Sequence, residues 1–344
     1  MKCLVTKLQG VVSDDSLMKI GEMRLRIKTD KLTSATTIVR YYAEGVPPFV
    51  IKTLDGSAKM STNANGTDLV SEIDFTQNMS KNAAVYFAPG EYEVSIISKS
   101  GVGALICYAA SGLGIDAQQV ARMPYLRALV WVNPSYEFDI SHLREMPMIE
   151  TLSYQGEKVI GDLYGLTKVK NIKAELSLNA TMVADDVARL SKVNVGKNIV
   201  LYNNLGLYGD IMSAVSHNTE LKLLSLTRST NLSGNLSSIR GLKKLETLNI
   251  NIANIEGDVA DLGYLTSLTT FAGADNPHLS GTLESMVTTF RANGRASGTI
   301  VLPMATYMKN VTFNSMLLRE YSNANLGGKN DIVVTWTADS ITLS

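Results

Sequence analysis

The stretch "LETLNINIANIEGDVADLGYLTSL", residues 245–268, decides how the rest of the chain is read. At its centre, Gly257 precedes Asp258 between apolar residues. A lone carboxylate in that setting has two readings, a reactive group or a turn in a repeating fold. Counting outward from Asp258 decides between them. Equivalent positions are Asp116, Asp139, Asp162, Asp186, Asp210, Asn235, Asp258 and Thr282, at steps of 23, 23, 24, 24, 25, 23 and 24 residues. Glycine precedes five of them, at 161, 209, 234, 257 and 281. A near-constant period over eight units marks a solenoid.

Each unit has the same internal grammar. After Asp258, apolar residues recur every third place at Val259, Leu262, Leu265 and Leu268, and Ile140, Leu143, Met146 and Ile149 repeat the pattern. A period of three suits a 3₁₀ or tight helical segment better than the 3.6 of an α-helix. A short extended run follows, such as "LETLNI" or "IETLSY", apolar at its first, fourth and sixth places. The Asp or Asn is expected to cap the helical segment by accepting from its free N–H groups. This applies to Asp116, Asp139, Asp162, Asp186, Asp210, Asn235 and Asp258.

The combination of L-x-x-L-x-L with L-S-G-x-L, clearest in "LKLLSLTRSTNLSGNLSSIRGLKK" and "LTTFAGADNPHLSGTLESM", resembles the leucine-rich repeat of L-x-G-x-[IL] type. That resemblance covers about residues 104–290. It implies a strand on a concave face and a helical segment on a convex face in each coil. The strand-exit Asn of the family is present at Asn276, while Pro134, Ser229 and Ala253 hold the equivalent places elsewhere. The third and fourth units keep the spacing but lose several leucines.

Residues 1–103 alternate instead of repeating. "MRLRIKT", "TTIVRYY", "PFVIKTL" and "AAVYFAPGEYEVSII" read as strands, with a hairpin turn at Pro89-Gly90 and a joint at "SKSGVG", residues 98–103. The fold class expected is therefore mainly β with short helical or 3₁₀ segments. Residues 1–103 form an all-β sandwich, 104–290 a solenoid of about eight units of 23–25 residues, and 291–344 a C-terminal cap over its last apolar face. "VLPMATYMKNVTFNSMLLREY" also fits a last irregular repeat.

Charge is balanced, 32 basic against 32 acidic residues, so no basic excess points to nucleic acid. Neither a signal h-region nor an apolar window of about 18 residues occurs, and membrane insertion is not expected. Cys3 and Cys107 form no redox or metal pair, and His142, His217 and His278 fall in separate units. "GVGALI" and "GLGIDA" lack the third glycine of a dinucleotide fingerprint, and no phosphate loop or nucleophile elbow occurs. No cofactor, no metal and no catalytic residue are expected.

Function then falls to a surface. The places between buried strand residues face the concave side. The residues so assigned are Thr151, Ser153, Gln155, Lys173, Glu175, Tyr202, Asn204, Ser225, Thr227, Asn249 and Asn251, with Asn171, Val200, Leu223, Thr247, Thr270, Ala272 and Ala274 at matching positions. The set is small, polar and mostly uncharged, and Tyr202 is its one large aromatic.

The opening "MKCLVTKLQGVVSDDSLMKIGEMRLRI" resembles structural proteins of tailed phages that infect Bacteroides, including crAss-like phages. This implies a non-enzymatic virion component made in the host cytoplasm, such as a head or tail fibre or decoration protein. It would dock by its β domain and present the repeats for host recognition. Expected partners are other virion proteins or a host-surface protein or glycan, with self-association as a further option. The alternative is a bacterial leucine-rich-repeat adhesin or intracellular interaction scaffold.

Overall fold

The computed structural model describes residues 22–29, 37–40, 49–63, 65–74, 82–98, 104–107, 113–114, 126–134 and 136–344. Asp116, Cys3, most of the joint at 98–103 and most of the phage-like opening lie outside the described residues. The chain divides into two compact units. One is residues 1–129 with 134–136 and 146–148, and the other is 130–133, 137–145 and 149–344. Strands Ala104–Cys107 and Leu113–Gly114 pair antiparallel with Thr37–Arg40 and Glu22–Thr29, within the first unit.

The first unit is built from antiparallel strands. Glu22–Thr29 pairs with Gly90–Ser98, which also pairs with Phe49–Thr53, and Glu72–Asp74 completes that edge. Thr37–Arg40 instead pairs with Asn82–Phe87, which takes Met60–Ser61 on its other side. The hairpin expected at Pro89-Gly90 is therefore not formed. Asn82–Phe87 and Gly90–Ser98 belong to different sheets, and Pro89-Gly90 is a corner where the chain changes sheet. Ile27, Ile51, Val85, Phe87, Val94 and Ile96 are buried along these strands.

The second unit is a solenoid with one concave strand per coil. The first is Ala128–Val132, whose residues from 130 belong to this unit. Then follow Thr151–Gln155, Glu175–Asn179, Asn198–Tyr202, Leu223–Ser225, Thr247–Asn249, Thr270–Ala272 and Gly298–Leu302. From the second strand to the eighth every pairing is parallel. The inward residues of each strand are buried: Leu152 and Tyr154, Leu176 and Leu178, Ile199 and Leu201, Leu224 and Leu226, Leu248 and Ile250, Phe271, Ile300 and Leu302. Burying each such side chain contributes roughly 1.5–3 kcal/mol. The mainly β, parallel-strand solenoid architecture is set by this alternation.

The convex side carries 3₁₀ segments at Ile140–His142, Val187–Lys192, Leu236–Ile239 and Val259–Tyr264. It carries α-helices at Tyr164–Val169, Ile211–Val215 and Leu283–Ala292. Thus the period-three pattern yields both helix types, and the ten-residue helix occurs where the repeat lengthens at its end. Beyond it, Gly298–Leu302 still pairs in parallel with the seventh strand, so residues around 300 form an eighth coil. The sheet then turns antiparallel through Ile332–Trp336 and Ile341–Leu343. Trp336 stacks on Phe290 with ring centroids 5.0 Å apart.

One regularity had no signature in the composition. The residue leaving each concave strand is left-handed in all eight coils: Asn133, Gly156, Ala180, Asn203, Arg228, Ile252, Asp275 and Met304. It turns the chain sharply out of the sheet, in a conformation that costs a non-glycine residue about 1–2 kcal/mol.

Candidate functional site: the concave face

The Asp series has hydrogen-bonding work inside the fold. Asp139, Asp186, Asp210, Asn235 and Asp258 precede helical segments and accept from Ser141, Ala188, Ser213, Ser237 and Ala260 N–H at 2.8–3.0 Å. Thr282 does the same with Ser285, at 2.9 Å. Asp162 sits one residue earlier, accepting from Tyr164 N–H at 2.7 Å, while Leu163 N–H donates to Asp185 of the next coil. The preceding glycine lies against the cap of the coil before. At Gly281 the backbone has φ +108, and a Cβ there would fall on the Asp258 carboxylate. No group of three or more His, Cys, Asp and Glu suited to a metal occurs among the described residues.

Strand pairing arranges the concave side chains in rows that run from coil to coil. One row is Thr151, Glu175, Asn198, Leu223, Thr247 and Thr270. The next is Ser153, Ser177, Val200, Ser225, Asn249 and Ala272. The third begins Gln155, Asn179, Tyr202. Thr227 and Asn251 lie just past the ends of their strands and are half-buried. Ala272 and Ala274 are buried, so the seventh coil offers little to this face.

Three assignments need correction. Lys173 precedes its strand and is exposed on the rim where chains enter the sheet. Asn171 belongs to a separate two-stranded ladder, Asn171–Ile172 with Asn194–Val195. Asn204 is 0 % exposed. Its Oδ1 accepts from Thr181 N–H and Oγ–H at 3.1 and 2.7 Å, and its Nδ2 donates to Leu178 and Tyr202 carbonyls. Ser229 Oγ in turn accepts from Asn204 N–H and donates to Leu201 O at 2.8 Å. Asn276 has the same task in its own coil, accepting from Ile255 N–H and donating to Ile250 O. Asn179 and Asn198 take vacated places on the face, while Ser177, at the register position between Ser153 and Val200, is buried. The signal for them was the alternation of "ELSLN" and "NIVLY", masked in the third coil by the extra apolar residue Ile172 just upstream.

Toward the fifth to seventh coils some polar groups bond one another, while Ser225, Thr247 and Thr270 make no side-chain hydrogen bond among the described residues. Thr227 Oγ–H donates to Asn249 Oδ1 at 2.8 Å, and Asn251 Oδ1 accepts from Ala274 N–H at 2.8 Å. In the second and third coils Thr151, Ser153, Gln155 and Ser177 make no side-chain hydrogen bond among the described residues. Asn179 Oδ1 is buried without a donor. Beside them Tyr202, 37 % exposed, accepts at its hydroxyl from Arg228 Nη1 at 3.1 Å. The Arg228 guanidinium also stands 6.0 Å from the Tyr202 ring centroid. Glu175 receives Asn198 Nδ2 at 3.2 Å. Nothing on this face couples a nucleophile to a base. Its chemistry is hydrogen bonding, one aromatic surface and one cation.

No protein-family model matches the chain, and no curated protein does. Among solved structures it is similar to an internalin (inlF) of Listeria monocytogenes, at 15% identity and TM-score 0.37, over 58% of this chain and 66% of that one. Internalin C2 (inlC2) of the same species aligns at 19% identity and TM-score 0.39, over 61% of this chain and 81% of that one. A plant peptide hormone receptor, RGFR1, in complex with RGF2, aligns at 18% identity and TM-score 0.31, over 45% of this chain and 29% of the receptor.

Proposed function

We propose that this chain is a non-enzymatic interaction protein whose ligand lies across the second to fourth coils of the concave sheet. The observation that carries the reading is the exposed Tyr202–Arg228 pair beside rows of small polar side chains. Hydroxyl and amide groups at Thr151, Ser153 and Gln155 make no side-chain hydrogen bond among the described residues and stand in the rows that lead to the exposed Tyr202–Arg228 pair. Aromatic and arginine side chains together anchor most interfaces. Extended concave sheets are the surfaces that solenoids use for binding.

The finer reading is a bacteriophage virion component, a head or tail fibre or decoration protein. It docks through residues 1–103 and presents the repeats for protein or host-surface binding. Its support is the resemblance of residues 1–27 alone. The alternative, a bacterial leucine-rich-repeat adhesin or intracellular scaffold, makes the same use of the face.

Labelled full chain titrated onto intact Bacteroides cells and onto purified tailed-phage particles tests both parts. Saturable binding to cells is expected, weakened roughly tenfold or more by Tyr202→Ala with Arg228→Ala. Equal binding by that variant overturns the concave-face reading. Failure to bind the particles overturns the virion reading and leaves the alternative.

A further inference from the structure

A second surface lies on the rim where chains enter the concave strands. There the ladder Asn171–Ile172 with Asn194–Val195 sets neighbouring coils side by side, and Asn194 Nδ2 donates to Asn171 Oδ1 at 2.9 Å. Lys170 and Lys173 flank one strand of this ladder, and Lys192 and Lys197 flank the other. The backbone binds them together: Asn194 N–H donates to Lys170 O at 2.7 Å, and Lys222 N–H to Lys197 O at 2.7 Å. Adjacent coils stand about 4.8 Å apart, so these cations share a patch two to three coils wide.

All four lysines are exposed, and none has a carboxylate partner among the described residues. The same rim one coil further on is neutralised. Lys222 meets Glu246 at 2.6 Å, and Lys244 meets Glu220 at 2.6 Å. Glu150 and Glu246 close the row at its two ends, Glu150 with an interaction of its own. Of the carboxylates inside the segment, Glu175 holds Asn198, Asp185 holds Arg189, and Asp186 caps its helix. Asn218, 5 % exposed, adds a second observation. Its Oδ1 accepts from Val195 N–H at 2.7 Å, but its buried Nδ2 has no acceptor. The rim is thus a cluster of uncompensated donors.

We propose that this rim binds an acidic polysaccharide, with its carboxylate or sulfate groups against Lys170, Lys173, Lys192 and Lys197. Charge complementarity selects an anion. The exposed amides of Asn171 and Asn194 lie between the lysines and suit sugar hydroxyls. A protein partner would want an apolar anchor, yet Ile172, Val193 and Val195 are buried. Single-stranded nucleic acid would want stacking aromatics, and residues 170–174, 192–198 and 217–222 contain no Phe, Tyr or Trp, the ring of His217 being held against Val193 O at 3.1 Å. The site is separate from the Tyr202 face and does not depend on it.

The test uses the full chain with fluorescent heparin oligosaccharide and with polygalacturonate as probes, and with poly-glutamate and single-stranded DNA of equal charge as competitors. Binding to at least one polysaccharide is expected. It should weaken roughly tenfold or more in Lys173→Glu with Lys197→Glu and fade with added salt. Lys309→Glu makes the same kind of charge change at an exposed site elsewhere and should stay within about twofold of the native chain. Lys173→Gln with Lys197→Gln should fall between. No polysaccharide binding, undiminished binding by the reversed variant, or equal competition by poly-glutamate or DNA overturns the proposal.

Discussion

At the scale of single residues, Gly281 and Asp258 are one device. The carboxylate caps its own helical segment, and the glycine of the next coil leaves room for it. Asp258→Ala should lower stability by about 1 kcal/mol, the worth of a cap. Gly281→Ala should cost about 2 kcal/mol, from left-handed strain plus the encounter with the carboxylate. In urea denaturation of the double variant the two losses should sum to more than the combined loss, because removing Asp258 removes part of the clash. Simple additivity would separate the two residues. The Gly-Asp spacing was legible in the sequence because a cap needs one of few side chains. The Asn204 and Asn276 contacts were half legible. Thr181 and Ser229 join the same network with hydroxyls, and Ala253 holds the equivalent place with no polar group, so no single residue type marks it.

At the scale of elements, register is where the sequence misleads. Leucines fix the inward residues in the fifth and sixth coils, and the concave assignments there follow the strands. In the third coil Ile172 is buried too, but in the entry ladder, so counting from it sets the face four residues early, while in the fourth coil the assignment runs two residues late, onto the buried Asn204. The left-handed strand exit was hidden altogether, since residues as different as Ile252 and Asp275 adopt it under the pull of the solenoid. Ile252 has φ +56 and an exposed side chain, so Ile252→Gly should raise stability by about 1 kcal/mol in thermal unfolding. A loss would mean that the side chain contributes more than the strain costs. At the other end, Trp336 is 1 % exposed, stacked on Phe290 and covered by the Arg295 guanidinium. If residues 291–344 cap the solenoid, Trp336→Ala should cost about 3–5 kcal/mol and unfold the last coils first, as read by amide hydrogen exchange.

At the scale of the whole molecule, the repeats and the alternating strands of the first unit were both legible, because buried periodicity is what a solenoid and a half-buried sheet each require. The Pro89-Gly90 corner was not, since a local turn signal carries no information about which sheet receives the next strand. The candidate site was legible as a face but not as a set of free and occupied groups, which only the contacts between coils reveal. That face depends on Gln155, Asn179 and Tyr202 standing side by side in neighbouring coils. Disulfide trapping measures this directly, in the full chain with Cys3 and Cys107 replaced by serine. Asn179→Cys with Tyr202→Cys should cross-link under mild oxidation, and Lys173→Cys with Tyr202→Cys should not. Cross-linking of the second pair and not the first would contradict the face described.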